Sequence, residues 1–187
     1  MIMILLYLLK KFTQEKKESN MNIFYLDKSF TKSAEYHCDK HVVKMILETA
    51  QLLSTAHRVL DGDEYADSVA LYKSTHKNHP SAVWVRSNQK AYEWTFMLLY
   101  RLCEEYTKRY NKKHKTSRLL NSLVNKPKNI EQSQWNTELT PPPQCMPDEY
   151  KHEDTVIAYR EYYKGAKKSF AKWAYSTTPD WFEGELT

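Results

Sequence analysis

The chain has 187 residues, only three of which are glycine, and its 28 lysine and arginine residues exceed its 23 acidic residues by five. The scarcity of glycine excludes the glycine-rich turn of dinucleotide-binding domains and the phosphate loop of P-loop enzymes, and it disfavours a fold of tight β-hairpins. A hydrophobic content of 41% with 13% aromatic residues is typical of a folded chain. We therefore expect a mostly α protein, a compact single-domain bundle of about three long helices with irregular loops.

Residues 1–20 differ in character from the rest of the chain. They begin with the apolar run MIMILLYLL, followed by Lys10 and Lys11. This run is too short to span a bilayer, and it lacks the preceding positive charge and the small-residue cleavage site of a signal peptide. We predict that residues 1–20 are an N-terminal extension, that Met21 is the functional start, and that residues 21–187 form the domain. A tail that touches a membrane is the alternative.

Apolar residues recur at helical spacing from about Ser33 to Leu60, which predicts the first long helix. A polar stripe runs beside the apolar one, with spacings that alternate between four and three residues: His37, His41, Lys44, Glu48, Gln51 and Thr55. On a single helix these side chains share one face. The stripe is compatible with catalysis or substrate binding, with a solvated helix face, and with a metal site.

A metal site would use His37 and His41 as ligands one turn apart, with Glu48 or His76 completing the set. The chain has no H-E-x-x-H motif to support it. The cysteines form no C-x-x-C pair, so neither a zinc knuckle nor a disulfide framework is indicated: they are Cys38, Cys103 and Cys145. We expect no cofactor.

A polar connection over residues 63–80 leads to a second predicted helix over about 81–111. The end of the connection and the start of the helix combine polar residues with an aromatic residue and a cation: Thr75, His76, Asn78, His79, Pro80, Trp84 and Arg86. This composition suits base stacking and phosphate contact. The alternative is that Pro80 starts the helix, that Trp84 belongs to the core, and that the histidines bond to backbone groups.

The segment from Tyr106 to Ile130 has no acidic residue and eight basic ones, which we name the basic block: Lys108, Arg109, Lys112, Lys113, Lys115, Arg118, Lys126 and Lys128. Such a block can bind a phosphate backbone, and it can equally be a solvated helix end and loop. In the proline-rich loop over residues 125–150, Trp135 is expected to be buried or stacked. A third helix is predicted from about Glu153 to Trp173.

Residues 38–48, CDKHVVKMILE, resemble the first-helix motif of phage pyrimidine-dimer DNA glycosylases of the endonuclease V type. In that family a histidine precedes a catalytic glutamate by seven residues, as His41 precedes Glu48 here. Three further stretches are similar to parts of the family: residues 72–84 with their His-Pro pair and tryptophan, the basic residues 104–119, and the aromatic tail at 179–182.

The resemblance implies a DNA repair glycosylase with AP-lyase activity, whose nucleophile is the α-amino group of the mature N-terminus. Family members normally begin with threonine there, and Met21 or Asn22 takes that position here. Glu48 would stabilise the cationic sugar and then move protons, and His41 would orient the site or contact phosphate. Lys44 is the substitute nucleophile.

The resemblance also implies a partner, double-stranded DNA that is intact or damaged, and a virus-encoded protein that acts as a monomer, without a membrane span, in the host cytoplasm. The family's arginines beside the glutamate are matched here by Leu47 and Gln51. The residues expected to bind DNA are therefore others: His76, His79, Arg86, Lys108, Arg109, Lys112, Lys113, Lys115, Arg118 and Trp181. Two alternatives stay open, a non-catalytic DNA-binding protein of the same fold and a metal-dependent hydrolase using His37 and His41.

Overall fold

A computed structural model describes residues 21–133 and 138–183, so residues 1–20 and Trp135 lie outside the described residues. Within the described part the chain forms eight α-helices and no β-strand, which confirms the mostly α prediction. The helices are α1 Phe30–Tyr36, α2 Asp39–Leu60, α3 Asp63–Ser68, α4 Pro80–Val85, α5 Gln89–Tyr110, α6 Leu120–Leu123, α7 Thr155–Ala166 and α8 Asp180–Glu183. Two 3₁₀ turns, Lys115–Leu119 and Asp148–Tyr150, complete the regular structure of this part. It contains no helix with the length and apolar character needed to cross a membrane.

The 22-residue helices α2 and α5 pack against each other at the centre of the fold, and α1 packs on α5. Their contact faces carry leucines that are at most 1% exposed, among them Leu52 and Leu53 of α2 and Leu98 and Leu99 of α5. Each such side chain contributes about 1.5–3 kcal/mol by leaving water. The apolar stripes in the sequence therefore correspond to this central helix pair.

The first two predicted helices are each interrupted. The first breaks at His37 and Cys38, whose backbones are extended with ψ angles of 131° and 160°. The second is divided before Asn88, whose side chain accepts the Ala91 N–H and so starts α5. Such capping satisfies a backbone donor that a helix start leaves open. Periodicity alone does not reveal either break, because the apolar stripe continues across it.

The third predicted helix is shorter at its end, and the connection before α4 is more ordered than predicted. Helix α7 ends at Ala166, yet Phe170 and Trp173 still pack on the core from the turns that come next. The connection contains α3, which begins after Gly62 with its φ angle of 82°. Glycine adopts this left-handed conformation without a steric cost.

The N-terminal segment, residues 21–26, is extended and buried in the core. Its aromatic residues link three helices. Phe24 stacks on His41 of α2, with 4.6 Å between ring centroids, and also contacts tyrosine rings of α7. Tyr25 packs on Trp94 of α5 at 4.8 Å. The segment is thus a structural element of the core, although it belongs to no helix.

Arg109 of α5 fastens the junction between α1 and α2. Its guanidinium donates to the carboxylates of Glu105 and Asp39, at 3.0 and 3.1 Å, and to the backbone carbonyls of Glu35 and His37, at 2.9 and 2.8 Å. Its side chain has 0% exposure. The backbone carbonyls at the end of α1 that have no hydrogen-bond partner within the helix therefore accept from Arg109. Because its side chain is buried, Arg109 is not available to bind a DNA backbone.

We expect Arg109→Met to lower the free energy of unfolding by about 3–5 kcal/mol, because removing one partner leaves buried carboxylates and carbonyls without a donor. Urea unfolding measures the loss. Arg101→Met is the matched control on the same helix, since the Arg101–Glu104 pair is exposed at 38% and 48% and should change stability by about 1 kcal/mol or less. Equal losses in the two variants would contradict the role assigned to Arg109.

Candidate active site

Glu48 is a buried carboxylate on α2, with 6% exposure. Its Oε1 lies 3.0 Å from Nζ of Lys44, one turn earlier, whose side chain is 45% exposed. Its Oε2 is buried without a hydrogen-bond partner in the described part of the chain. Burial raises the pKa of Glu48, against the opposing effects of Lys44, the Asn22 backbone amide and His76. Such a carboxylate can exchange protons or stabilise a cation that approaches it.

Asn22 is locked in position beside Glu48. Its side-chain Nδ2 donates to the carbonyl of Cys145 at 2.9 Å, and its Oδ1 accepts from the hydroxyl of Tyr159 at 2.9 Å and from the N–H of Ile23 at 2.8 Å. Its backbone amide lies within reach of the Glu48 carboxylate. These contacts therefore hold the Asn22 backbone in the vicinity of the carboxylate, and Met21 is buried next to Asn22 at 3% exposure.

His41 lies behind this site, in the core. It is 4% exposed, its Nδ1 hydrogen-bonds the Tyr163 hydroxyl, and its ring stacks on Phe24 of the N-terminal segment. Burial, together with nearby cations, lowers the pKa of His41 to about 2. A neutral, buried imidazole of this kind positions the N-terminal segment and offers no charge to a phosphate.

His37 does not share the α2 face that the sequence pattern assigned to it. It caps α1 across the break, it has 0% exposure, and its Nδ1 donates to the carbonyl of Ser33 at 2.6 Å. Burial lowers the pKa of His37 to about 4. Among the described residues no group of three or more His, Cys, Asp or Glu side chains is arranged to hold a metal ion. The two histidines thus lack the third ligand that the metal-dependent alternative requires.

The outer face of α2 beside Glu48 is open to solvent. Lys40, Val43, Lys44 and Leu47 are exposed on it, with Val43 and Leu47 each at 40%. Gln51, one turn beyond Leu47, is half-buried. The face therefore presents two cations around a small apolar patch, next to the buried carboxylate of Glu48.

The loop over residues 69–79 covers the next turns of α2. Thr55 exchanges hydrogen bonds with the backbone of Thr75, and His76 comes next with its side chain exposed. At the other end of the loop, the hydroxyl of Tyr72 bonds that of Thr116 at 2.8 Å, and Arg118 lies over the Tyr72 ring. The same loop thus joins the surroundings of Glu48 to the basic block.

The basic block itself is mostly exposed. Its solvent-facing cations among the residues expected to bind DNA are Lys108, Lys112, Lys113, Lys115 and Arg118. Lys108 also pairs with Glu105 at 3.2 Å. Arg109 is the exception, because its side chain is fully buried at the α1–α2 junction.

The remaining residues expected to bind DNA have structural contacts. Trp181 is 8% exposed between Tyr36 and Tyr163. His79 accepts the Ser81 N–H and caps α4, and half-buried Arg86 ends that helix. Pro80 starts α4 and Trp84 is buried, as the structural alternative predicted: both belong to the fold rather than to an exposed stacking surface.

Sequence reasoning missed the partners of Asn22. Tyr159 lies 137 residues after Asn22, and its place in the apolar stripe of α7 indicates only a core residue. Cys145 contributes a backbone carbonyl, which any residue could supply. No local signal in the sequence identifies either contact.

A comparison with protein families bears on these residues. The family described as pyrimidine dimer DNA glycosylase matches residues 21–118, more than half of the chain. The chain belongs to this family. The glycosylase match begins at the buried N-terminal segment and extends through α2, α5 and the basic block to Arg118. Family membership supports a function of the pyrimidine-dimer DNA glycosylase type, with DNA as the substrate. No curated protein and no solved structure matches the chain.

We expect Glu48→Gln to raise the thermal midpoint at neutral pH. The raised pKa means that the folded state disfavours the charged carboxylate relative to the unfolded state, and glutamine carries no charge. The advantage should shrink as the pH falls towards the unfolded-state pKa of about 4.3, because Glu48 is then neutral in both states.

Thermal melts at several pH values between neutral and acid measure this difference. Glu93→Gln is the control, since Glu93 is exposed on α5 and accepts a hydrogen bond from the Gln89 side chain on the same exposed face. A lower midpoint for Glu48→Gln at neutral pH would show that the pair with Lys44 outweighs burial.

Proposed function

We propose that the protein is a DNA glycosylase with AP-lyase activity, and that the α-amine of residue 22 is its nucleophile, with Glu48 as the catalytic carboxylate. One observation carries the proposal: the backbone amide of Asn22 is near enough to the buried Glu48 carboxylate to oppose the rise of its pKa. In a chain that begins at residue 22, this nitrogen is a free amine. The contacts of the Asn22 side chain with Tyr159 and Cys145 supply its orientation.

The chemistry needs a neutral amine next to a proton acceptor. An α-amine has a pKa of about 7.7–8.0, against about 10.4 for an ordinary lysine, so a larger share of it is neutral at pH 7. The amine attacks C1′ of the damaged nucleotide, and the glycosidic bond breaks with its electron pair on the base, which takes up the proton that the amine loses. The C1′–O4′ bond then opens with its electron pair on O4′, which gains a proton from solvent, and a Schiff base forms. Glu48 first stabilises the cationic sugar and then removes a proton from C2′.

The state of the N-terminus decides which amine reacts. While Met21 is attached, the nitrogen of residue 22 is an amide and cannot attack. We propose that residues 1–20 are an extension and that processing before Asn22 forms the nucleophile, with the α-amine of a retained Met21 as the second possibility. Lys44 is the third amine, because its Nζ lies 3.0 Å from Glu48.

Borohydride trapping on UV-irradiated duplex DNA tests the proposal. Three forms are compared: the full chain, a chain that begins at Met21, and a chain released by a protease so that it begins at Asn22. We expect the most covalent adduct from the last form, with the adduct mapped to residue 22. Glu48→Gln should lower strand scission by about 100-fold or more, as for loss of a general base.

Lys44→Met is the control for the competing amine. It should leave the adduct in place, whereas an adduct that forms equally in all three forms and disappears with Lys44→Met would move the nucleophile to Lys44. Absence of any adduct, together with unchanged DNA binding, would instead favour a non-catalytic DNA-binding protein of the same fold.

We also propose that the exposed part of the basic block binds the DNA backbone. Its support is the run of exposed cations at the end of α5 and in the adjoining 3₁₀ turn, joined through Tyr72 to the loop above Glu48. Binding that neutralises phosphates releases counterions, so its affinity falls steeply with salt concentration.

We expect the double substitution Lys112→Ala, Lys113→Ala to weaken binding to damaged and undamaged duplexes alike, and to reduce the slope of log K against log salt by about two. Fluorescence anisotropy at several salt concentrations measures both quantities. Lys28→Ala is the control, because the Lys28 carbonyl bonds Trp94 near the opposite end of α5. An unchanged slope in the double variant would exclude these lysines from the DNA interface.

A further inference from the structure

We infer that His76 is a second catalytic residue of this site, an acid that protonates the 3′-phosphate as it leaves during β-elimination. The inference rests on the proposed lyase function. It assigns to His76 a step in the reaction, in place of the backbone contact expected from the sequence.

The backbone of His76 is held in an uncommon conformation. Its φ angle is 48°, in the left-handed region, which residues other than glycine adopt only occasionally and which recurs at functional sites. The contacts around it maintain this conformation. Its Nδ1 bonds the Thr75 hydroxyl at 2.6 Å, and its carbonyl accepts the His79 N–H at 2.9 Å. The imidazole is therefore oriented although it is exposed.

The surrounding contacts bring His76 to Glu48. Thr55 lies two turns after Glu48 on the same face of α2, and its hydroxyl accepts the Thr75 N–H at 3.2 Å. The loop therefore crosses α2 two turns beyond the carboxylate, and His76 is near enough to Glu48 to oppose the rise of its pKa. The neighbouring titratable and charged groups are Lys44 and Glu48 of α2, His79 at the start of α4, and Lys77 in the loop.

The two groups differ in a way that suits the two proton transfers. Glu48 is buried and becomes the base: it takes the C2′ proton of the Schiff base, and the C–H electron pair forms the enamine. The enamine then expels the 3′-oxygen, the C3′–O bond breaks, and its electron pair leaves with the phosphate. An imidazolium at His76 donates its proton to that phosphate and becomes neutral, so that charge and atoms balance. Histidine is the side chain suited to this exchange near neutral pH.

The test separates the elimination step from the earlier steps. Processed protein is mixed with a duplex that contains an abasic site, and the ratio of strand scission to borohydride-trapped adduct is measured from pH 5 to pH 8. For the wild type we expect this ratio to fall towards the upper end of this pH range, where the proton donor is lost. His76→Asn should keep the left-handed backbone, which asparagine tolerates, and should form the adduct normally. Its ratio should be about 100-fold lower and should no longer fall as the pH rises.

Two further variants complete the design. His76→Gly removes the imidazole without any backbone strain, so that it reports the same loss even if His76→Asn folds poorly. Lys77→Ala is the matched control for an exposed cation in the same loop, and its ratio should equal that of the wild type.

The outcomes are distinct. An unchanged ratio in both His76 variants overturns the inference. So does a parallel loss of adduct, scission and DNA affinity, which would make His76 a phosphate contact only. If the wild-type protein itself forms no adduct, the proposed lyase function is contradicted, and so is the role of His76 that rests on it.

Discussion

The site depends on one constraint, the burial of the extended segment 21–26 in the helical core. Its backbone has no helix to satisfy its polar groups, so side chains from distant parts of the chain do this: the Ser33 hydroxyl donates to the Phe24 carbonyl, and Arg160 donates to that of Leu26. At the start of the segment, the Asn22 side chain accepts a hydrogen bond from the Tyr159 hydroxyl. Because these contacts fix the segment on α1 and α7, they also hold the Asn22 backbone near Glu48 of α2.

The same burial produces the electrostatics of the site. Glu48 is withdrawn from water with one oxygen unpartnered, which raises its pKa, while His37 and His41 are kept neutral beneath it. The only cation that contacts the carboxylate within the described residues, Lys44, is half in solvent. The protein thus maintains an under-compensated carboxylate, an arrangement that costs stability and is typical of sites where a ligand supplies the missing positive charge. A cationic sugar intermediate is such a ligand.

The sequence indicated the elements better than their junctions. The apolar periodicity of α2 and α5 reflects a physical repeat of the helix, and the interval between His41 and Glu48 follows from it, so both were predictable. The break at His37 was not, because it depends on Arg109, which comes 72 residues later and binds the carbonyl there. Arg109 and Trp181 carry residue types that suit DNA contact, and their burial is decided by tertiary partners that leave no periodic signal. For the same reason, the contacts of the Asn22 side chain with Tyr159 and Cys145 could not be anticipated.

The outer face of α2 beside Glu48 has no arginine, so the positive charge near the site is carried by other parts of the protein. Leu47 and Gln51 take the positions where the resemblance leads one to expect arginines, and Leu47 is 40% exposed there, so this stretch of helix beside Glu48 offers no guanidinium. The cations are instead on Lys44 and on the basic block, which the Tyr72–Thr116 bond joins to the loop over residues 69–79. This loop is fixed to α2 by Thr55 and by Arg58, whose buried guanidinium donates to the carbonyls of Tyr72 and Leu71. In the DNA complex that we propose, a phosphate backbone that crosses from the block to Glu48 meets a loop fixed on α2 in place of helix-borne arginines, and the position of that loop sets where the sugar meets the carboxylate.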